Sequence, residues 1–183
     1  MSPARDAALR VLLAVEKDGA YANLELQKNA RRWKLAPSDA AFLTELVYGT
    51  LRRQGTLDYV IDQFSTVSVS RMNDCIRCIM RMGVYQLLFL DKVPARAVCN
   101  EAVEMAKSRR IYGLTGFVNA LLRKISREKY RIAYPDPEKE TALYLSVKHS
   151  HPLWLVKRWL IRFGEEETAS LCMTNNEPPP VVL

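Results

Sequence analysis

Residues 72–90 read Met-Asn-Asp-Cys-Ile-Arg-Cys-Ile-Met-Arg-Met-Gly-Val-Tyr-Gln-Leu-Leu-Phe-Leu, the most apolar segment of the chain. Ile76, Ile79, Met80, Val84 and Tyr85 recur at helical spacing, and Leu87, Leu88, Phe89 and Leu90 then put apolar surface on every side. A helix that is apolar all round belongs in the middle of a core. The pattern predicts a central buried helix. Its length is that of a short bilayer span, but Arg77 and Arg81 in its interior argue against insertion in lipid.

Working outward, the period stays helical. Ser2 followed by Pro3 fits an N-cap and first helical turn, and Gly19 fits a left-handed stop. Between them Ala8, Leu12 and Val15 make an apolar stripe, with Arg5, Asp6, Arg10 and Lys17 expected on the wetter side. A second helix is expected over Ala22–Trp33, and a third over Ala40–Arg53, capped by Ser38 or Asp39 and closed by Gly55. The third would carry Phe42, Leu43, Leu46, Val47 and Leu51 inward. Thr56 is expected to cap a short helix to Phe64, and Ser65–Ser70 to form a connector. After the central helix come Ala95–Ser108, with Glu101 and Glu104 exposed, and Thr115–Ile125. Pro135 and Pro137 stop any helix and mark the best boundary. Beyond it, helices are expected over Glu138–Lys148, Pro152–Phe163 and Glu165–Met173, with Trp154 and Trp159 exposed. Val181–Leu183 looks like the opening of a strand.

Composition narrows the function. Half of the 183 residues are hydrophobic and four are cysteine, so the chain needs neither disulfides nor metal to fold and is not disordered. The N-terminus lacks a signal-peptide core, which makes a cytoplasmic protein with no membrane association the expectation. The seven glycines form neither GxGxxG nor GxxxxGK, the devices that bring backbone N–H groups against a nucleotide. Charge is uneven: residues 1–134 hold 22 Lys+Arg against 13 Asp+Glu, and residues 135–183 hold 5 against 7. A net of +9 before the boundary and −2 after it fits a polyanion-binding module with an appendage. Solvation alone is the plainer reading of each individual cation.

Other candidate sites are less persuasive. Cys75 and Cys78 form a CxxC, but Cys99, Cys172, His149 and His151 are scattered and offer no tetrahedral zinc set. The neighbours Ile76, Ile79 and Met80 make these cysteines small residues of a helical core, and no metal is expected. His149-x-His151 precedes Pro152 and reads as a helix entry. No nucleophile has a general base at motif spacing, so no catalytic residue is assigned. The basic surface remains: Arg5, Arg10, the cluster at 28–34, Arg52 with Arg53, and residues 107–131.

Specific residues add a resemblance. Arg81–Pro94, Asn100–Lys107 and Gly116–Ile125 resemble the second half of the NusB fold, an all-helical RNA-binding domain of bacterial antitermination factors. Ala7–Leu12 and Phe42–Gly49 resemble its first half. The continuation, with His151–Trp159, Phe163–Glu167 and Cys172–Pro179, is similar to bacterial rRNA (cytosine-5) methyltransferases of the RsmB (Sun/Fmu) type. In that family a NusB-like domain precedes a linker and an S-adenosylmethionine-dependent catalytic domain. The resemblance implies a NusB-like RNA-binding domain at 1–133, and at 134–183 a helical linker with the beginning of a truncated methyltransferase region. It implies a fragment without cofactor, S-adenosylmethionine being expected in the full-length protein. The family's catalytic cysteines follow Pro or Thr, whereas Asp74, Arg77, Val98 and Leu171 precede the four cysteines here.

By the same resemblance, RNA contact is expected first from Arg5 and Arg10, then from Arg31, Arg32, Arg52 and Arg53, with small-subunit rRNA as partner. A ribosomal protein is a further expected partner. Two other readings stand beside this one: an antitermination-type protein-interaction module with no enzymatic role, and a helical domain that only stabilises a catalytic one.

Overall fold

The computed structural model describes residues 2–177, and the expected strand at Val181–Leu183 lies outside them. Among the described residues the architecture is all-α. The helices are α1 (Pro3–Asp18), α2 (Ala22–Trp33), α3 (Pro37–Arg52), α4 (Gln54–Phe64), α5 (Asp74–Phe89), α6 (Ala95–Ser108), α7 (Thr115–Glu128), α8 (Thr141–His149) and α9 (Leu153–Thr174). Short 3-10 turns at Val69–Arg71, Tyr112–Leu114 and Lys129–Arg131 lie in the connections.

The apolar stretch that opened the reading is α5, and every residue from Cys78 to Leu87 is buried. Asn73 caps it, its side-chain oxygen accepting from the Ile76 N–H at 2.9 Å. The helix packs against α1, α3, α4, α6 and α7. Arg81 lies inside this core because acids surround it. Its Nε and Nη2 donate to Asp58 at 2.7 Å each, and Nη1 donates to Glu16 at 2.9 Å. One turn earlier, Arg77 joins Glu16 at 2.8 Å and Asp74 at 2.5 Å.

Gly49 of α3 lets α5 come close. A Cβ there would lie 2.0 Å from Cζ of Tyr85, whose hydroxyl donates to the Glu45 carboxylate. The first core thus joins α1 to α7. A second, small cluster of Leu145, Val156 and Cys172, flanked by Tyr144, Trp159, Leu160 and Ala169, holds α8 against α9. Thr56 donates to the Val147 carbonyl at 2.6 Å, and the Gly55 N–H donates to Ser150 Oγ at 2.7 Å, fastening α4 to that unit.

Several expectations need correction. Ala36, not Ser38 or Asp39, is the N-cap of α3, because Pro37 already has the fixed φ suited to the first helical position. Gly55 does not end α3 but lies in the first turn of α4, where Ser150 takes its otherwise orphaned N–H. Thr56 is accordingly inside the helix and spends its hydroxyl on α8. Asp6, placed on the wet side of α1, is 1% exposed, since two arginines neutralise it. Glu101, expected exposed, is half-buried and accepts from the Ser2 N–H at 2.6 Å. By contrast, the two helices expected on either side of Gly164 are present: Gly164, at φ 80° and ψ −179°, is non-helical and divides α9 into two helical segments that meet at a kink.

Candidate nucleic-acid interface

Residues Arg10, Leu13, Ala14, Lys17 and Asp18 follow i, i+3, i+4, i+7, i+8 spacing and therefore share one face of α1. Glu25, Lys28, Asn29 and Arg32 do the same on α2. The two faces oppose each other across a groove of about 320 Å³, which Arg109 enters from the end of α6. Cations outnumber carboxylates among the lining residues, so the groove is basic.

Asp6 organises it. This buried carboxylate accepts from Arg10 Nε at 3.1 Å and from Arg109 Nη2 at 2.7 Å. A guanidinium has five N–H donors, so both arginines keep donors for a ligand while their planes are held. The Trp33 ring lies 5.7 Å from the Arg10 guanidinium and supports it from α2. Glu25 is occupied within its own helix, accepting from Lys28 at 2.9 Å and from Asn29 at 3.3 Å. Lys17 reaches Asp74 only at 3.9 Å. Arg32 is exposed and makes no hydrogen bond or ion pair among the described residues.

The six expected arginines do not converge. Arg10 and Arg32 line this groove, and Arg31 is exposed beside Arg32. Arg5 is turned to other work: its Nε donates to Gln86 at 2.8 Å, and its guanidinium lies 5.0 Å from the Phe42 ring centroid. Burial lowers the Arg5 pKa, and Glu101 partly offsets this.

Arg52 donates to the Asn176 carbonyl at 3.2 Å, and Arg53 stands over Phe89 at 5.2 Å. Arg53 lines a separate cavity of about 390 Å³ with Thr56, Tyr134, Lys148 and His149, where α4 meets α8 and α9. The residues missed as site members are Arg109, Lys17 and Lys28. Lys28 belongs to the basic cluster at 28–34 and Arg109 to the basic stretch at 107–131, both already singled out as parts of the basic surface. Arg109 lies 103 positions from the Asp6 it binds, and no local pattern announces that pairing.

Cys78, Cys99 and Cys172 are buried, and burial pushes the Cys78 thiol up to about 12. Cys75 is half-buried, and its thiol is raised for the same reason. No thiolate is available at either position near neutral pH.

An all-helical domain with a basic groove across its N-terminal helices is the class these observations define. The chain belongs to the NusB family, whose model matches residues 2–127. It is 36% identical over 179 residues to a probable ribosomal RNA small subunit methyltransferase B of Bacillus subtilis (strain 168), covering 98% of this chain and 39% of that protein. A protein of the same name from Synechocystis sp. is 35% identical, with 100% of this chain and 41% of the relative covered. The chain thus spans about two fifths of the length of these curated relatives. Among solved structures, that of the antitermination factors NusB and NusE in complex with dsRNA superposes with a TM-score of 0.63 at 23% identity. That match covers 69% of this chain and 95% of the other, and it supports the fold.

Proposed function

We propose that this chain is the RNA-binding N-terminal region of an S-adenosylmethionine-dependent methyltransferase acting on cytosine C5 of 16S rRNA. Its part in the reaction is to hold small-subunit rRNA so that the target base reaches a catalytic domain elsewhere in the full-length protein. The observation that carries this reading is the α1–α2 groove, in which Asp6 fixes Arg10 and Arg109 and Arg32 and Lys28 face them across the gap. Phosphate contacts of this kind give affinity and register without base-reading motifs, as expected for recognition of RNA by shape. The relatives' name supplies the substrate class.

In this reading residues 1–133 bind RNA and residues 134–183 lead toward the catalytic domain, with a small core of their own. Cofactor binding and the catalytic cysteine belong to that domain, and the protein works in the cytoplasm. The test is binding of a small-subunit rRNA hairpin by fluorescence anisotropy at several salt concentrations. Affinity should fall steeply with salt, and R10Q/R32Q should reduce the log–log slope by about 0.7–0.9 for each phosphate that is no longer neutralised. Binding that ignores salt, or no binding, would refute the proposal.

A further inference from the structure

A second basic groove lies away from the first. Ala95, Arg96 and Cys99 from the start of α6 face Arg123, Ser126 and Arg127 from the second half of α7 across a cavity of about 500 Å³. The spacings 96/99 and 123/126/127 put each set on one helix face. No carboxylate is among these lining residues. Arg123 donates only to the neutral Asn119, at 2.9 Å, and Arg96 and Arg127 make no hydrogen bond or ion pair among the described residues.

Other arginines of this domain are treated differently. Arg10, Arg77, Arg81 and Arg109 each meet a carboxylate at 3.1 Å or less. Arg96 is also placed against the local field. It occupies the first turn of α6, whose N-cap, Pro94, provides no side-chain cap. The free N–H groups and the dipole make that end positive, which disfavours a cation and favours an anion. Three guanidiniums without counter-charge, converging on a helix start, lower their mutual repulsion when an anion enters between them.

We propose that this α6–α7 groove binds the phosphodiester backbone of RNA, as a second contact separate from the α1–α2 groove; this rests on the RNA-binding reading above. Arg96 and Arg109 stand at opposite ends of α6, about 20 Å apart at 1.5 Å per residue. Their positions differ by roughly 220° around the helix axis, so the two grooves open in different directions. An RNA that engages both passes around α6 and cannot lie flat on one face. The groove therefore contributes length and curvature preference to binding.

The same rRNA hairpin, extended by a single-stranded tail, is titrated with the 183-residue chain and with R96Q/R127Q, R96K/R127K and R10Q/R32Q variants. R96Q/R127Q should lower the salt slope by roughly 1.4–1.8 and weaken binding about tenfold, with an unchanged melting temperature. R96K/R127K, which keeps the charge, should retain the slope. R10Q/R32Q should show its own reduction, additive with the first. If R96Q/R127Q binds with wild-type slope and affinity while R10Q/R32Q does not, the second contact is refuted and the RNA reading stands. A lowered melting temperature with an unchanged slope also refutes it, by showing a structural role. Absence of salt-dependent binding by the wild-type chain refutes both.

Discussion

Replacing Gly49 with alanine tests whether the α3–α5 contact is as tight as it looks. The added Cβ would lie 2.0 Å from Tyr85 Cζ, 2.1 Å from its oxygen and 2.5 Å from Cε1. Ordinary carbon contacts are about 3.5–4.0 Å, so the ring must move by roughly 1.5 Å. It has little room to do so. Tyr85 is 5% exposed, stacks on Phe89 with centroids 5.4 Å apart, and donates its hydroxyl to Glu45, one turn before Gly49 on α3. Alanine gains about 1 kcal/mol of helix propensity. Overpacking costs about 1–3 kcal/mol, and losing a hydrogen bond to a charged group about 1.5–3 kcal/mol. The clash wins, with a net loss of about 2–4 kcal/mol. Urea unfolding followed by far-UV circular dichroism measures it. In G49A/Y85A the new methyl enters space the ring has vacated, so the double variant should lose at least about 1 kcal/mol less than the two singles together. A neutral or stabilising G49A, or strict additivity, would refute the argument.

Two further outcomes follow from charged groups in the core and at the α8–α9 unit. Arg81→Met should cost about 3 kcal/mol in urea unfolding, because Asp58 loses both of its charge-assisted bonds and Glu16 keeps only Arg77; an unchanged midpoint would contradict this. Burial, aided by the nearby Arg53 charge, holds the pKa of His149 and of His151 below the ordinary value of 6.5. Below that pH the unfolded chain binds more protons than the folded one. Stability is thus full above about 6.5 and is lost as pH falls through the lower folded values. Fluorescence of Trp159, whose ring centroid is 5.5 Å from that of His151, should report an acid-shifted melting of α8–α9 that H149Q/H151Q flattens.

Contributions confined to one helix were legible in the sequence, and those made across the fold were not. The run of Ile, Met, Leu and Val around Arg81 announced a central helix, and α2 spans the expected residues, Ala22–Trp33. Gly19 ends α1 in the left-handed conformation at φ 62°, because glycine there needs no partner from elsewhere. Gly55 misled for the opposite reason. It reads as a stop, yet its N–H is satisfied from Ser150, 95 positions away, so the helix can begin before it. Trp159, expected exposed with Trp154, packs into the second core, while Trp154 is 65% exposed.

The same limit governs the charge argument, and it changes which cations matter for binding. A surplus of +9 before residue 135 suggested a broad phosphate-binding surface. Much of that charge is already committed. Arg77 and Arg81 neutralise Glu16, Asp58 and Asp74, which lie part-buried at the edge of the core, and Arg5 is half-buried on Gln86 and Phe42. Arg52 is tied to the carbonyl of Asn176. Arg77 and Arg81, each bonded to two carboxylates, have little left to gain from a phosphate, whereas Arg5 and Arg52 spend one donor each and are set apart by lying on Gln86 and Asn176 instead of in the groove. What remains for RNA are cations that the fold positions without saturating: Arg10 and Arg109, aligned by one buried carboxylate, and Arg32, Arg96 and Arg127, which have no such partner among the described residues. Spacing along the chain cannot distinguish the two kinds, because the acids that bind the first kind come largely from other helices.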